Sequence, residues 1–261
     1  MKVTIIGSGN VAAAFARAIA STAGLRLQEI CARNAERGSA LADRYGAAHV
    51  PTPEAVSPAD LYLMAVSDGA VGELSARLAA PATSVVAHTA GGLGLDALRC
   101  PTRHRGVLYP LQTFSAGRAI DFRSLPLLIE ATDEVARQRI ETAAASLSER
   151  VVPADSALRN RIHVAAVFAC NFTNHLLARA THLLKEADID ACLLHPLIRE
   201  TLDKALAVAD PATVQTGPAA RHDEVTLRRH LALLAGEQDP VYTAIYQLLS
   251  NSILWETSKK T

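Results

Sequence analysis

The sequence has few of the residue patterns that build disulfide frameworks or metal sites. Its four cysteines include no Cys-x-x-Cys pair, and its nine histidines form no His-x-x-x-His or Cys/His cluster at ligand spacing. Cys170 and Cys192 lie in apolar stretches that predict helices, where buried and inert thiols are common. We therefore expect reduced cysteines and no bound metal.

An excess of charge of either sign is also absent. Lysine plus arginine and aspartate plus glutamate number 26 each, which gives no electrostatic case for nucleic acid or an anionic membrane as a partner. Polar or charged residues interrupt every apolar run well short of the roughly 18 residues that a membrane-spanning helix needs. The N-terminus shows no signal segment. We expect a cytoplasmic protein that binds neither nucleic acid nor membrane.

The first part of the chain alternates short apolar segments with longer helical patterns. Strands are predicted at 3–6, 27–31, 61–66, 84–88, 106–109, 127–130 and 150–152, and helices at 11–21, 35–45, 70–79 and 134–147. Hydrophobic residues make up 49% of the 261 residues, enough for a sizeable core. The alternation predicts an α/β fold of the doubly wound Rossmann type, with a mainly parallel sheet covered on both faces.

After Pro153 the sequence contains no convincing strand. Helices are predicted from Asp155 or Ser156 to about 187, and then at 191–208, 225–235 and 241–254. The sequence therefore predicts two domains, an α/β domain at 1–153 and an all-helical domain at 154–261. We expect residues 257–261 to be frayed.

The most informative segment is Gly7-Ser8-Gly9-Asn10-Val11-Ala12, between the first predicted strand and an Ala-rich helix. In such a turn the first glycine makes the tight bend, the second lets the backbone approach a pyrophosphate, and the alanine lets the helix pack on the strand. The helix N-terminus adds free N–H groups and a positive dipole end. The motif therefore predicts a dinucleotide site, and a glycine-rich structural turn is the alternative.

The end of the second predicted strand indicates which dinucleotide is bound. The tip of this strand has no acid that could hold a ribose 2′-hydroxyl. Glu29 is acidic but lies inside the strand. Arg33 and Asn34 follow the strand instead, and an arginine can form charge-assisted bonds to a 2′-phosphate. We therefore predict NADP(H) rather than NAD(H), with a solvated arginine as the alternative.

Two further strand ends carry polar residues at the sheet edge where ligands of α/β folds bind. We expect Val66, Ser67 and Asp68 to contact the cofactor, although Ser67 and Asp68 can equally be helix caps. His88 and Thr89 follow the next strand and are expected to flank the nicotinamide. A structural role for His88 is the alternative.

The helix predicted after residue 155 is apolar but carries polar residues at helical spacing. With 100° per residue, His163 and Asn174 fall within roughly 20° of each other, and Asn171 lies about 80° from His163. Buried amides and imidazoles need hydrogen-bond partners. This stripe either lines a substrate pocket, with His163, Asn171 and Asn174 as catalytic candidates, or belongs to an interhelical hydrogen-bond network.

Lysine is absent from the body of that helix. The chain has lysines only at 2, 185, 204, 259 and 260, whereas hydroxyacid dehydrogenases of similar layout keep a lysine there as proton donor. Reduction of a ketone needs a proton for the developing alkoxide, and a protonated imine already carries its proton. The missing lysine favours imine-type or unusual substrates, although His163 or His88 can serve as the acid.

Four segments of the chain together resemble a known family. They are Gly7-Ser-Gly-Asn-Val11, Tyr109-Pro-Leu-Gln-Thr-Phe-Ser115, His163-Val-Ala-Ala-Val-Phe-Ala-Cys-Asn-Phe-Thr-Asn-His175 and Gln215-Thr-Gly-Pro-Ala-Ala-Arg-His-Asp223. Over its whole length the chain resembles bacterial Rossmann-like NADP oxidoreductases with a C-terminal helical domain of unknown function. Their layout is similar to that of pyrroline-5-carboxylate reductase, ketopantoate reductase and 6-phosphogluconate dehydrogenase.

The resemblance implies cofactor roles for Gly7, Gly9, Asn10 and Val11, a homodimer, and a site between the two domains. It implies no substrate, because a fold does not determine a reaction.

We therefore expect an NADP(H)-dependent oxidoreductase that transfers a hydride to or from a small, anionic substrate bound between the domains. Gln112 and Thr113 offer neutral hydrogen bonds to the substrate, and Arg221 can bind an acidic group. The loop around Arg221 can equally be a helix cap that uses Asp223. The alternative functions are a non-catalytic NADPH-binding sensor and a prephenate-type or hydroxyacid dehydrogenase.

Overall fold

The computed structural model describes residues 1–259 of the chain. The chain divides into two compact units, Met1–Asn171 (the first unit) and Phe172–Thr261 (the second unit). The domain boundary predicted after residue 153 coincides with the end of the last strand. The first unit extends further and includes the helix that follows this strand.

The first unit is built on a single eight-stranded sheet. Its strands are β1 (Lys2–Ile6), β2 (Arg26–Cys31), β3 (Ala48–Val50), β4 (Leu61–Met64), β5 (Val85–His88), β6 (Arg105–Pro110), β7 (Leu127–Ala131) and β8 (Val151–Pro153). The spatial order is β3-β2-β1-β4-β5-β6-β7-β8. The β6–β7 pair is antiparallel and every other neighbouring pair is parallel. The predicted Rossmann-type fold is confirmed.

Four helices connect consecutive strands of this sheet, and a fifth follows the last strand. They are α1 (Asn10–Ala20), α2 (Ala35–Arg44), α3 (Asp68–Ala76) and α4 (Glu134–Leu147), followed after β8 by α5 (Ser156–Ala166). All the strands and helices predicted for this part of the chain are present, with ends shifted by a few residues at most. Strand β3 was missed, because three residues are too few to show an alternating pattern.

The sheet is buried on both faces, as a parallel sheet with helices on each side requires. Ile5 and Leu63 belong to the apolar core that also contains Phe15 of α1. Their chain neighbours Ile6 and Met64 point to the opposite face and pack in a second core. Because adjacent residues of one strand are both buried, these strands read as continuous apolar runs in the sequence.

A buried ion pair holds α5 on the sheet. The Arg159 side chain is fully buried, and its Nη1 lies 2.5 Å from Glu130 Oε2 on β7. The same guanidinium donates to the carbonyl oxygen of Leu93 and to Ser156 Oγ. Asp155 caps the helix by accepting a hydrogen bond from Leu158 N at 2.8 Å. The position of α5 in the first unit is therefore set by polar contacts as well as by packing.

The helix predicted from 155 or 156 to 187 is present but is not a uniform α-helix. After α5, Val167–Phe172 form a π-helical segment, and α6 (Thr173–Glu186) follows. A π-helix has more residues per turn than the 3.6 of an α-helix. The helical-wheel angles that aligned Asn174 with His163 and placed Asn171 on a neighbouring side therefore do not hold across this segment.

In its described part, the second unit contains helices and no strand. Its α-helices are α6, α7 (His195–Leu206), α8 (Glu224–Leu234) and α9 (Val241–Ser258). Among residues 1–259, none of the helices combines the length and apolar character needed to span a bilayer.

Two smaller expectations about this region are wrong. Thr257 and Ser258 belong to α9 and are not frayed, while the rest of the predicted frayed segment reaches residues 260 and 261, outside the described part. Cys170 and Cys192 are exposed, although the apolar surroundings in the sequence predicted their burial. Apolar neighbours in sequence do not bury a side chain when the helix face that carries it is open.

His88 is a core residue at the end of β5. Its side chain is buried, with Nε2 lying 3.2 Å from the carbonyl oxygen of Gly94 and Nδ1 accepting a hydrogen bond from Ala90 N at 3.2 Å. Desolvation by burial, with the nearby positive charge of Arg159 as a smaller cause, lowers the pKa of His88 to about 4. Both ring nitrogens are engaged inside the protein, so the expected catalytic role of His88 does not fit its environment.

The buried neutral state of His88 predicts a pH dependence of stability. The folded-state pKa of about 4 lies below the ordinary value of about 6.5, so between these values the unfolded chain binds more protons. The His88 contribution to the free energy of unfolding should therefore fall by about 2 kcal/mol between pH 7 and pH 5. Urea unfolding at both pH values measures this. A His88→Gln variant is the control, and an equal loss in variant and wild type would contradict the assignment.

Candidate cofactor site

A cavity of about 1020 Å³ lies in the first unit, where the carboxyl ends of β1, β2, β4 and β5 meet. It is lined by every residue that the sequence assigned to the cofactor: Gly7, Ser8, Gly9, Asn10, Val11, Arg33, Asn34, Val66, Ser67, Asp68 and Thr89. Gln112 and His163 line the same cavity. One edge of the sheet thus brings together residues that lie far apart in the chain.

The two glycines of the Gly-x-Gly turn occupy their positions for different structural reasons. Gly7 has φ +125°, and a Cβ there would collide with the carbonyl oxygen of Ala65. Gly9 has φ −82° and ψ −174°, ordinary extended backbone, and a Cβ there would meet no protein atom within 4 Å. Gly7 is therefore required by the fold, whereas the space beside Gly9 is left open in a wall of the cavity.

The N-terminus of α1 is available to an anion. Gly9 occupies the N-cap position without a side-chain hydrogen bond, and the first turn contains no acidic residue. Asn10 turns its side chain elsewhere, since its Nδ2 donates to the carbonyl oxygen of Phe114 at 3.1 Å. The first N–H groups of the helix are thus not covered by a capping side chain, as a pyrophosphate-binding turn requires.

The tip of β2 carries a free positive charge. Arg33 is exposed and, within the described part of the chain, forms no ion pair. Asn34 caps α2, because its Oδ1 accepts a hydrogen bond from Arg37 N at 2.9 Å. Glu29 is buried and accepts a hydrogen bond from Ser57 N, so it cannot reach a ribose in the cavity. The charge pattern at this tip suits a phosphate better than a hydroxyl.

The β4 and β5 ends complete the wall of the cavity. Ser67 is the N-cap residue of α3 but its hydroxyl makes no capping bond, and both Ser67 and Asp68 are exposed towards the cavity. Thr89 Oγ1 donates to the carbonyl oxygen of Met64 at 3.3 Å, which fixes its side chain at the end of β5. Ser67 therefore occupies a helix-cap position, and its hydroxyl is free to bind a ligand.

His163 on α5 is held beside the cavity by Tyr109 on β6. The hydroxyl of Tyr109 lies 3.0 Å from Nδ1 of His163, and the two rings meet edge to face with centroids 5.9 Å apart. Gly91, which follows β5, also lines the cavity, and a Cβ at this position would lie 2.7 Å from His163 Nδ1 and 2.9 Å from Tyr109 Cζ. Gly91 leaves the space that this pair of rings occupies.

Among the other expected substrate and catalytic residues of the first unit, Thr113 and Asn171 do not line the cavity. Thr113 is exposed beside Gln112 and donates its backbone N–H to Gln112 Oε1 at 2.9 Å. Asn171 lies in the π-helical segment, and Asn174 and Arg221 belong to the second unit. Their functional roles stay predictions. Asp223 caps α8 by accepting from Thr226 N at 3.0 Å, so the structural alternative for this loop holds at least for Asp223.

The sequence reasoning missed several cavity residues. Thr52 and Pro53 follow β3, so missing that strand hid them. Arg77, at the end of α3, bonds Glu54 Oε1 at 2.6 Å and Glu73 Oε1 at 3.2 Å, and this contact lowers the pKa of Glu54 to about 2. Tyr109 belonged to a recognised motif, but no spacing rule indicated that it would contact His163.

Among residues 1–259 no group of acidic, His and Cys side chains is arranged to hold a metal ion.

Comparison with protein families matches two parts of the chain. Residues 2–91 match the family described as NADP oxidoreductase, coenzyme F420-dependent. Residues 125–253 match a domain of unknown function, DUF2520. A comparison with curated protein sequences gave no match.

Several solved structures resemble the whole chain. A protein from Bacteroides fragilis described as an NADP oxidoreductase is 37% identical, with a TM-score of 0.88 and 97% of both chains covered. A reductive aminase from Aspergillus terreus, in complex with NADPH and ethyl-5-oxohexanoate, has a TM-score of 0.71 at 16% identity, with 97% of this chain and 93% of that chain covered. A 1-pyrroline-5-carboxylate reductase from Streptococcus pyogenes has a TM-score of 0.61 at 13% identity, with 99% and 98% covered.

The two enzymes of lower identity share the fold with this chain. The Bacteroides fragilis protein is similar enough in sequence, over nearly all of both chains, to establish the family. The chain belongs to the family of NADP oxidoreductases in which a Rossmann domain is followed by a DUF2520 region.

Proposed function

We propose that the protein binds NADP(H) in the cavity at the carboxyl edge of its sheet and reduces or oxidises a small, anionic substrate there. The observation that carries this proposal is the open space beside Gly9, next to an uncapped helix N-terminus and near a free Arg33. When bound, the cofactor would supply or accept a hydride at its nicotinamide carbon.

Each part of the cavity wall suits one part of the cofactor. The backbone N–H groups from Ser8 to Val11 would hold the pyrophosphate, since the Gly7 N–H already donates to the carbonyl oxygen of Cys31, and Arg33 would bind the 2′-phosphate. Ser67, Asp68 and Thr89 contact the ribose and the nicotinamide side. Asn34 supports this arrangement indirectly, because its side chain fixes the start of α2 immediately after Arg33.

The substrate would meet neutral hydrogen-bonding groups and one imidazole. The side-chain amide of Gln112 and the ring of His163 line the cavity, and we assign the proton transfer to His163. Arg221 is proposed to bind an acidic group of the substrate, with Asn171 and Asn174 as further candidates for contact. An imine-type substrate remains our preferred class, since no lysine lies in the helix from 156 to 186 except Lys185 near its end.

The apolar surface of the second unit favours self-association. Large apolar side chains between 63% and 84% exposed occur on three of its helices and on a neighbouring turn: Leu193, Leu197, Leu206, Leu233, Leu248 and Trp255. Exposed apolar patches of this kind mark interaction surfaces. We propose a homodimer formed through the second unit. Sedimentation equilibrium should give twice the chain mass of 27.7 kDa, and a mass of one chain at micromolar concentration would refute the dimer.

Arg33 should decide which dinucleotide is preferred. Replacing Arg33 with Ala should weaken NADPH binding by about 1–3 kcal/mol, because a charged hydrogen bond to the 2′-phosphate is lost, and should leave NADH binding unchanged. Isothermal calorimetry with both cofactors measures this. Arg37→Ala is the matched control, since Arg37 is also exposed on α2 but does not line the cavity. Tighter binding of NADH than of NADPH by the wild type would disprove the preference.

Gly9→Val should abolish cofactor binding without unfolding the protein. The valine would meet no protein atom but would occupy the space proposed for the pyrophosphate. Circular dichroism should show an unchanged melting temperature, and calorimetry should show no NADPH binding. NADPH oxidation with 2-oxo acids and cyclic imines should also stop. Gly7→Val is the contrasting variant and should fail to fold stably, because of its positive φ and the Ala65 carbonyl. Wild-type NADPH affinity in Gly9→Val would show that the site is misplaced.

A further inference from the structure

We propose that Tyr109 is a positioning residue that orients His163 for proton transfer. In this arrangement the Tyr109 hydroxyl engages Nδ1 of His163 and leaves Nε2 as the nitrogen that exchanges a proton with the substrate. The inference rests on the proposed oxidoreductase function, and it assigns a role to a side chain that does not itself line the cavity.

Both partners of this hydrogen bond are held by the fold. Tyr109 is 9% exposed and packs in an apolar cluster with Val107, Leu128 and Ala154. His163 stands on α5, which the buried Arg159–Glu130 ion pair holds against the sheet. The hydrogen bond of 3.0 Å between Tyr109 Oη and His163 Nδ1 therefore joins two elements that the fold holds in place, β6 and α5. A ring fixed in this way loses little further freedom when a substrate binds.

The pair of rings explains why residue 91, which follows β5, is a glycine. Gly91 does not have a positive φ, so its backbone conformation is open to any residue. A Cβ at this position would press on both rings, at 2.7 Å from His163 Nδ1 and 2.9 Å from Tyr109 Cζ. Space for the pair, and not backbone geometry, is thus the reason for a glycine here.

A phenol is a suitable partner for a histidine that both gains and loses a proton. Burial raises the pKa of the Tyr109 hydroxyl, so it stays neutral at physiological pH. A neutral hydroxyl can accept a hydrogen bond from Nδ1–H or donate one to Nδ1. A carboxylate in the same place would stabilise the charged ring much more strongly.

The proposed proton transfer converts the His163 imidazolium into a neutral imidazole. In the reducing direction the Nε2–H bond of the imidazolium breaks, and its proton goes to the oxygen of a carbonyl, or to the nitrogen of an imine that is not already protonated, as the carbon accepts the hydride. The ring keeps its Nδ1–H, which continues to donate to Tyr109 Oη. In the oxidising direction Nε2 takes the proton back from the alcohol or amine.

The charged groups around the pair lie on α3, α5 and β7. After burial, Arg159 on α5 is the next influence on the Tyr109 pKa and lowers it, while Asp68 at the start of α3 raises it. Arg159 is itself paired with Glu130. His88 at the end of β5 is buried and neutral, with its pKa lowered to about 4.

The test is Tyr109→Phe, which removes one oxygen atom. A matched control is available in the second unit, where Tyr246 Oη lies 2.7 Å from His230 Nδ1 with a similar edge-to-face geometry. Tyr246→Phe removes the same kind of hydrogen bond from a pair that does not include His163. The measurements are NADPH affinity by calorimetry, NADPH oxidation with pyruvate, 2-oxoglutarate and 2-methyl-1-pyrroline, and ¹⁵N NMR of the histidine rings with NADPH present.

For Tyr109→Phe we expect unchanged NADPH affinity, a kcat lowered about 10- to 100-fold, a shifted pH profile and an unchanged KM for NADPH. The His163 ring nitrogens should change from one defined tautomer to a mixture. Tyr246→Phe should alter none of the kinetic values. Wild-type kcat and pH profile in Tyr109→Phe would overturn the positioning role.

The outcomes separate this inference from the proposed function. Loss of NADPH binding by the wild type would refute the cofactor site whatever the Tyr109 variant does. If NADPH binds but none of the three acceptors is reduced, the ¹⁵N NMR spectra of the wild type and Tyr109→Phe decide whether Tyr109 positions His163. A single His163 tautomer in the wild type and a mixture in Tyr109→Phe support the inference, and identical ring spectra overturn it.

Discussion

The buried ion pair between Arg159 and Glu130 is the contact on which the arrangement of the first unit most depends. It connects α5 to β7, and the same guanidinium reaches the carbonyl oxygen of Leu93 in the segment after β5. Removing one partner would leave a buried charge without compensation, which usually costs about 3–5 kcal/mol. Because His163 stands on α5, a contact made for stability also determines where the imidazole of the candidate site lies.

The polar groups at the carboxyl edge of the sheet fall into two classes. His88, Glu29 and the Asn34 carbonyl are engaged by protein atoms and maintain the shape of the edge. Arg33 and the Ser67 hydroxyl face the cavity without such partners. Sequence position alone does not separate these classes, since members of both follow strand ends. Hydrogen-bond satisfaction separates them, because a group already paired inside the protein gains little from a ligand.

Local patterns predicted most of the fold. Apolar runs bounded by turns gave seven of the strands, and the Gly7–Ala12 turn located the cavity, because its chemistry is confined to neighbouring residues. Strand β3 was too short for a pattern, and the π-helical segment after Ala166 broke the 3.6-residue period on which the predicted positions of Asn171 and Asn174 around the helix relied. The contact of Tyr109 with His163 joins residues 54 positions apart, so no periodicity could reveal it.

The open space beside Gly9 means that the first unit is not fully packed without a ligand. A pocket whose wall includes uncapped helix N–H groups and an unpaired guanidinium gives up interactions that a bound anion would restore. By mass action, a ligand present at 100 times its Kd adds about 2.7 kcal/mol to the free energy of unfolding. The lifetime of the folded chain in a cell, and with it the steady-state amount of the protein, would then follow the supply of its cofactor.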